Sequence, residues 1–295
     1  MALLDDIRFQ FRTGNILMQL IYINGGIFLA MMMFRVIVYL SGSDALYHES
    51  VRQLAFPASP EALLYRPWSV VTHMFVHRDF LHVLFNMVWF YFGGTIFLQF
   101  LDGKKLLSTY VLGSICGALL FMLAYNLTPI YRPMAATAYA VGASAGVLAI
   151  VVAAATTAPN YVVHLMLIGP VRLKYIALIS VTLDIIFIPD GNAGGHFGHL
   201  GGAAFGFIFA QQLKKGHSIT IDFLHPWHWL VAHMPKRKLT IKVVHSKPRN
   251  DYEYNENKAA RQQTVDSILD KIKQSGYESL SAKEKEILFK ASKDL

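Results

Sequence analysis

LHVLFNMVWFYFGGTIFLQFL, residues 81–101, decides the class of this chain. It carries no Asp, Glu, Lys or Arg. A membrane-spanning helix needs about 20 mostly apolar residues, and this run supplies them. Its first turns hold two polar groups, His82 and Asn86. Four residues apart, they share one helical face.

Working outward, five more apolar runs appear. They are Ile16–Leu40, Leu106–Leu127, a short Ala-rich run at about 142–156, one near Tyr175–Ile188 and a short Gly/Ala-rich one near Gly198–Leu213. The expected fold is therefore all-α: a six-transmembrane-helix bundle. Composition agrees, with 54% apolar residues, 16% charged and a mean hydropathy of +0.38. A soluble domain carries about 25% charged residues. Charges are scarce from about residue 13 to residue 213 and dense beyond.

The organisation reads as a membrane domain over 1–215, a linker over 216–258 and a cytosolic helical hairpin over 259–295. Pro226, Pro235, Pro248 and the basic run Lys236-Arg237-Lys238 mark the linker. Val265, Ile268, Leu269 and Ile272 have helical spacing. Ser281 and Glu284 fit a capping box that opens a last helix.

Lys and Arg set the topology. Arg8 and Arg12, Lys104 and Lys105, Arg172 and Lys174, and Lys214 and Lys215 fall on alternate connections. The positive-inside rule makes that side cytoplasmic. Both termini are then inside, in a multi-pass protein of the cell membrane. Arg66, Arg78 and Arg132 fall on the outer side and are less consistently placed at helix ends. The first apolar run is too long for a removable signal core. The net charge of +8 belongs to this topology and does not imply nucleic acid. The outer connection, about 41–80, is expected to form interfacial amphipathic helices, with Trp68 at headgroup level. Cys116, alone in an apolar stretch, reads as a packing residue.

The second, fourth and sixth runs all travel from outside to inside. Their first turns therefore share a depth, and they carry His82 and Asn86, then Ser144, then His199. Polar groups inside apolar spans face the protein interior and mark function. Ser144 lies in Gly142-Ala143-Ser144-Ala145-Gly146, and His199 is followed by Gly202 and Gly206. Those small residues would let the two short helices dock closely. A serine becomes a useful nucleophile when a base takes its proton, and His199 can do so near neutral pH. His82, the Asn86 amide and backbone N–H groups at the start of the fourth helix would then stabilise an oxyanion. G-x-S-x-G alone is a weak signal whose plainer reading is helix packing. The four residues at matched depth outweigh that reading.

With these residues in view, the chain resembles the rhomboid family of intramembrane serine proteases. The family's ordered motifs read here as Trp68, His82-Val83-Leu84-Phe85-Asn86, Gly142-Ala143-Ser144-Ala145-Gly146, and His199 with Gly202 and Gly206. They cover roughly Tyr65 to Gly206. The resemblance implies a Ser–His dyad without an aspartate, a water-filled cavity open outward, and single-pass membrane substrates cut near the membrane. The tail is similar to one appended to some bacterial members. Two positions depart from the pattern. Arg66 precedes Trp68 where members often have Arg after the Trp. Leu148 stands where members often carry an aromatic residue that stacks on the base.

Other groups have plainer readings. His196 is a second candidate base, but only His199 has glycine at both +3 and +7. His73 and His77 read as loop packing, since H-E-x-x-H is absent. Asp184 in the fifth run costs about 2.5–3.5 kcal/mol on insertion scales. It is expected to be protonated or to face the cavity rather than to orient a histidine. Arg35 is expected to snorkel outward. The loop Ile188–Gly195 is expected to cover the cavity. Ser and His suffice for acyl transfer, so no cofactor or metal is expected. The expected partners are transmembrane substrates, the lipid bilayer and a cytosolic partner for the tail. The rival readings are an inactive relative that binds transmembrane helices and a small transporter, though no repeated halves are visible.

Overall fold

The computed structural model describes Phe11 and residues 14–166, 168–221 and 251–291. Arg8, Arg12 and the proline-marked, basic part of the linker lie outside the described residues. The chain divides into two compact units, Met1–Val231 and Ala232–Leu295.

In the first unit, α1 spans Ile16–Leu40, α5 spans Phe80–Phe100 and α6 spans Gly103–Leu127. These three are long and apolar enough to cross a membrane. Each opens on a side-chain cap that accepts an otherwise unpaired helical N–H. Asn15 accepts from Met18 N at 3.1 Å, Asp79 from His82 N at 2.9 Å and Asp102 from Lys105 N at 2.9 Å. The short helices are α7, Ser144–Thr157, and α8, Leu173–Ile186, with 14 residues each. The last, α9, spans Ala193–Lys214. The apolar runs were thus legible to within a few residues, except that α9 begins five residues before Gly198.

Small residues set how α6, α7 and α9 meet. A Cβ on Gly202 would overlap the Ala145 carbonyl oxygen, and one on Gly206 would overlap that of Ala149. A Cβ on Gly201 would stand 2.6 Å from the Cys116 carbonyl oxygen. One on Gly117 would stand 2.5 Å from that of Gly198. The glycines therefore bring three backbones into contact where any side chain would hold them apart. A buried polar chain adds specificity. Asn24 Nδ2 of α1 donates to the Tyr110 hydroxyl at 3.3 Å, and that hydroxyl donates to Met74 O at 3.1 Å.

The connection between α1 and α5 contains short helices: α2, Asp44–Leu54, α3, Pro60–Tyr65, and α4, Ser69–Thr72. Trp68 is half exposed, and its Nε1 donates to Gln53 O at 2.9 Å. The Arg66 guanidinium donates to Arg52 O at 2.5 Å. Both side chains therefore tie down the end of α2. Arg35 lies 5.2 Å from the centre of the Tyr47 ring, so its charge is held against α2. Two pairings escaped the sequence. Strand β1, Phe56–Pro57, pairs antiparallel with β2, Tyr139–Ala140. A hairpin of β3, Val162–Leu165, and β4, Gly169–Arg172, joins α7 to α8. The strands are too short for an alternating pattern to be read.

His73 and His77 are buried in the connection between α1 and α5, and burial pushes each imidazole down to about 4. In the folded protein they stay neutral, whereas the unfolded chain takes up protons below about 6.5. Stability is therefore full above about 6.5. It falls by about 1.4 kcal/mol per histidine for each pH unit on the way to about 4. The midpoint of thermal unfolding in detergent should drop between pH 7 and pH 5. A flat midpoint would contradict this account.

In the second unit, α10 spans Asp251–Ser275 and α11 spans Ala282–Ala291. Residues 251–258, assigned to the linker from sequence, are helical. The capping box forms: Ser281 Oγ accepts from Glu284 N at 3.3 Å, and Glu284 Oε2 accepts from Ser281 N at 2.7 Å. Ile268 is buried, but Leu269 is exposed and lies off the packed face.

Candidate active site

Ser144 is the first residue of α7. The N–H groups of a helix's first turn have no intrahelical partner, so they face whatever sits at that end. The partial positive charge of the helix terminus points the same way. The backbone entering the helix is held from outside. Gly142 N donates to His73 O at 2.9 Å, and Ala58 N donates to Ala138 O at 3.0 Å. Gly142 has φ +124°, a conformation open to glycine. A Cβ there would stand 2.8 Å from His82 Nε2 and 3.8 Å from Ser144 Oγ. The glycine thus makes room for the imidazole beside the serine.

His82 is oriented at its other nitrogen, where Nδ1 accepts from Arg78 N at 3.4 Å. That contact assigns the proton to Nε2 and makes Nε2 a donor on the serine side. The His77 ring packs edge-on against it, with centroids 5.1 Å apart. Asn86 Nδ2 donates to His82 O at 2.8 Å, which leaves its second N–H free for another acceptor.

A cavity of about 730 Å³ opens between the helices. Ser144, His199, His82 and Asn86 all line it. All four candidate residues from the sequence are therefore brought to one chamber, from α5, α7 and α9. His196 is not among the lining residues. Leu148 is, in the position expected of an aromatic ring, and the His196 ring packs edge-on against His199, with centroids 6.1 Å apart. Gly191, Asn192, Gly194 and Gly195 also border the chamber. Of the covering loop expected over Ile188–Gly195, the last three residues are in fact the first turn of α9.

Asp184 of α8 lines the chamber too, as expected. Its carboxylate there is in contact with two histidines. His199 Nδ1 lies 2.7 Å from Asp184 Oδ1, and His196 Nδ1 lies 2.8 Å from the same oxygen. Asp184, His196 and His199 form a histidine/carboxylate cluster compact enough to suggest a cation site, with donor atoms within 4.8 Å of one another. Direct contacts of 2.7 and 2.8 Å are hydrogen-bond lengths. They are shorter than the edge, roughly 3.3 Å, of a tetrahedron with ligands at about 2.0–2.1 Å. The cluster is therefore read as hydrogen-bonded.

Residues 65–215 match the family model described as "Rhomboid domain". Residues 250–294 match a second, described as "Family of unknown function (DUF6576)". The chain is 27% identical over 157 residues to "RHOMBOID-like protein 12, mitochondrial" of Arabidopsis thaliana, covering 50% of this chain and 47% of that one. It is 35% identical over 65 residues to "Rhomboid protease GlpG" of Salmonella choleraesuis (strain SC-B67), covering 22% of this chain and 23% of that one. It is 31% identical over 83 residues to the protein of the same name of Salmonella paratyphi A, covering 28% and 30%. The match thus spans about half the length of the plant relative and less than a third of the bacterial ones.

Proposed function

The chain belongs to the rhomboid family, and we propose that it is an intramembrane serine endopeptidase that cuts single-pass membrane proteins in or near the bilayer. Ser144 is the nucleophile and His199 the general base. The observation that carries this reading is one chamber whose lining includes Ser144, His82, Asn86 and His199, drawn from three apolar helices.

The chemistry runs in two halves. Ser144 Oγ attacks the scissile carbonyl carbon while its proton passes to His199 Nε2. The carbonyl oxygen becomes an oxyanion, which takes hydrogen bonds from His82 Nε2–H, the Asn86 amide and the first-turn N–H groups of α7. Collapse breaks the C–N bond, and the imidazolium returns its proton to the leaving amine. Water then enters the chamber, gives a proton to His199 and bonds to the acyl carbon; collapse breaks the ester bond, His199 returns the proton to Ser144 Oγ and the new carboxyl product leaves. Lipid cannot supply that water, so the chamber must stay wet.

In this reading α7, α8 and α9 are the remaining three of six spans. Leu178, Ile179, Leu183, Ile185 and Ile186 of α8 are exposed, an apolar face suited to lipid. The ends of α6, α8 and α9 that bear Lys104 and Lys105, Arg172 and Lys174, and Lys214 and Lys215 face the cytoplasm of the cell membrane, with both termini on that side. Residues 1–215 form the membrane domain. The tail, 259–295, is a separate cytosolic module with a partner of its own.

A fluorophosphonate probe tests the reading. It should label the purified protein and fail to label Ser144→Ala. Equal labelling of both would overturn it. Losing one oxyanion donor costs about 10²–10³ in rate. His82→Ala and Asn86→Ala should therefore each cleave a single-pass substrate slowly, at a measurable rate. Full rates in both would move the oxyanion site to the backbone alone.

A further inference from the structure

A neutral imidazole presents one N–H and one lone pair, and only the lone pair can take a proton from serine. Something must therefore decide which nitrogen of His199 faces Ser144. Asp184 is the group in contact with the other one. Its side chain is 11% exposed, and its Oδ1 lies 2.7 Å from His199 Nδ1. A buried carboxylate needs donors, and here it has two, since His196 Nδ1 reaches the same oxygen at 2.8 Å.

We propose that Asp184 is a positioning residue for the reaction: Oδ1 accepts Nδ1–H from His199, fixes that tautomer, and turns Nε2 toward the chamber. This rests on Ser144 being the nucleophile. The working unit is then Ser144, His199 and Asp184 drawn from α7, α9 and α8, not a pair alone. The carboxylate does not take the proton. It stabilises the imidazolium formed when Nε2 takes it, and it holds the ring plane during both halves of the reaction.

His196 has the opposite part. It completes the coordination of Asp184 Oδ1 and packs 6.4 Å, centre to centre, from the Phe187 ring. It thereby anchors the carboxylate between α8 and α9 without reaching the chamber. The arrangement also suits Leu148. The His199 ring is held by a hydrogen bond at one nitrogen and by the His196 ring edge-on, so no aromatic neighbour is needed to fix it.

A carboxylate that merely clamped α8 to α9 would do as well as an amide, because Asn also offers an oxygen to both N–H groups. The two roles therefore separate in the full-length protein with a single-pass substrate. Asp184→Asn should keep the unfolding midpoint and leave KM within about twofold, while kcat falls by about 10²–10⁴-fold. Asp184→Glu should recover part of that loss. ¹⁵N-histidine spectra of the unaltered protein give a second answer that needs no variant. Neutral His199 should be protonated at Nδ1 and bare at Nε2. Unchanged kcat in Asp184→Asn, or a neutral His199 protonated at Nε2, would overturn the proposal. Run alongside, Ser144→Ala separates the two failures. If it is inactive while Asp184→Asn is fully active, only the role of Asp184 is wrong. If it is still active, the serine mechanism itself has failed.

Discussion

Ser144→Ala and His199→Ala should each lower cleavage of a single-pass substrate by at least about 10⁴-fold, with the fold intact. Groups that act as a unit are grossly non-additive, so the double variant should be no worse than either single one. The expectation follows from the two residues lining one chamber, while the other imidazole there, His82, accepts from Arg78 N at Nδ1 and so presents a donor rather than a base to the serine. His196→Ala is the sharp contrast. It removes an imidazole three residues from His199 and one hydrogen bond to Asp184, yet takes nothing from the chamber lining. Its rate should fall by much less. Steady-state kinetics on all four proteins check this. If His196→Ala were as inactive as His199→Ala, the base would have to be reassigned.

Gly202→Val is expected to prevent stable folding. A first side-chain carbon at 202 already overlaps the Ala145 carbonyl oxygen, which is backbone and cannot rotate away. Overpacked cores commonly lose about 1–3 kcal/mol, and an obstacle that moves only with a whole helix should exceed that range. Because α7 carries Ser144, any helix displacement also separates nucleophile from base. Gly26→Ala in α1 is the control. Nothing lies within 4 Å of its added carbon, and alanine is about 1 kcal/mol better than glycine inside a helix. Thermal unfolding in detergent should show a large loss for the first and a small gain for the second. Equal midpoints would mean that α7 and α9 do not depend on this contact.

The long apolar runs were legible because length and missing charge are unambiguous over some 20 residues. The four chamber residues were legible because alternating helix direction converts sequence order into depth, as with His82, Ser144 and His199. Asp184 was expected at the cavity, where it lies, but its histidine contacts were not legible for a physical reason. Insertion cost marks a charge in a span as unusual but does not name its partner, and the partners lie 12 and 15 residues away on the next helix. The β1–β2 pairing was hidden because it joins two-residue strands more than 80 positions apart, with no pattern to read. Asn24 was similarly silent, since a buried asparagine in an apolar run looks alike whether it is bonded to Tyr110 or not. The tail helix began earlier than expected because residues 251–258 are polar and helical at once, and periodicity sees only apolar spacing.

The backbone that delivers Ser144 is hydrogen-bonded to Ala58, His73 and strand β1, and the proposed base, His199, arrives only with α9. These contacts link positions far apart in sequence, and such contacts form late because long loops must close first. During synthesis the chain therefore contains the serine, and the helices around it, for some time before any imidazole from α9 can reach it. If the proposed mechanism holds, a growing chain threaded through the insertion machinery, beside other unfinished membrane segments, carries no working protease. On the proposed mechanism cleavage would begin only once α9 has docked, so the order of translation itself would protect neighbouring nascent proteins, and the chain's own apolar helices, from being cut.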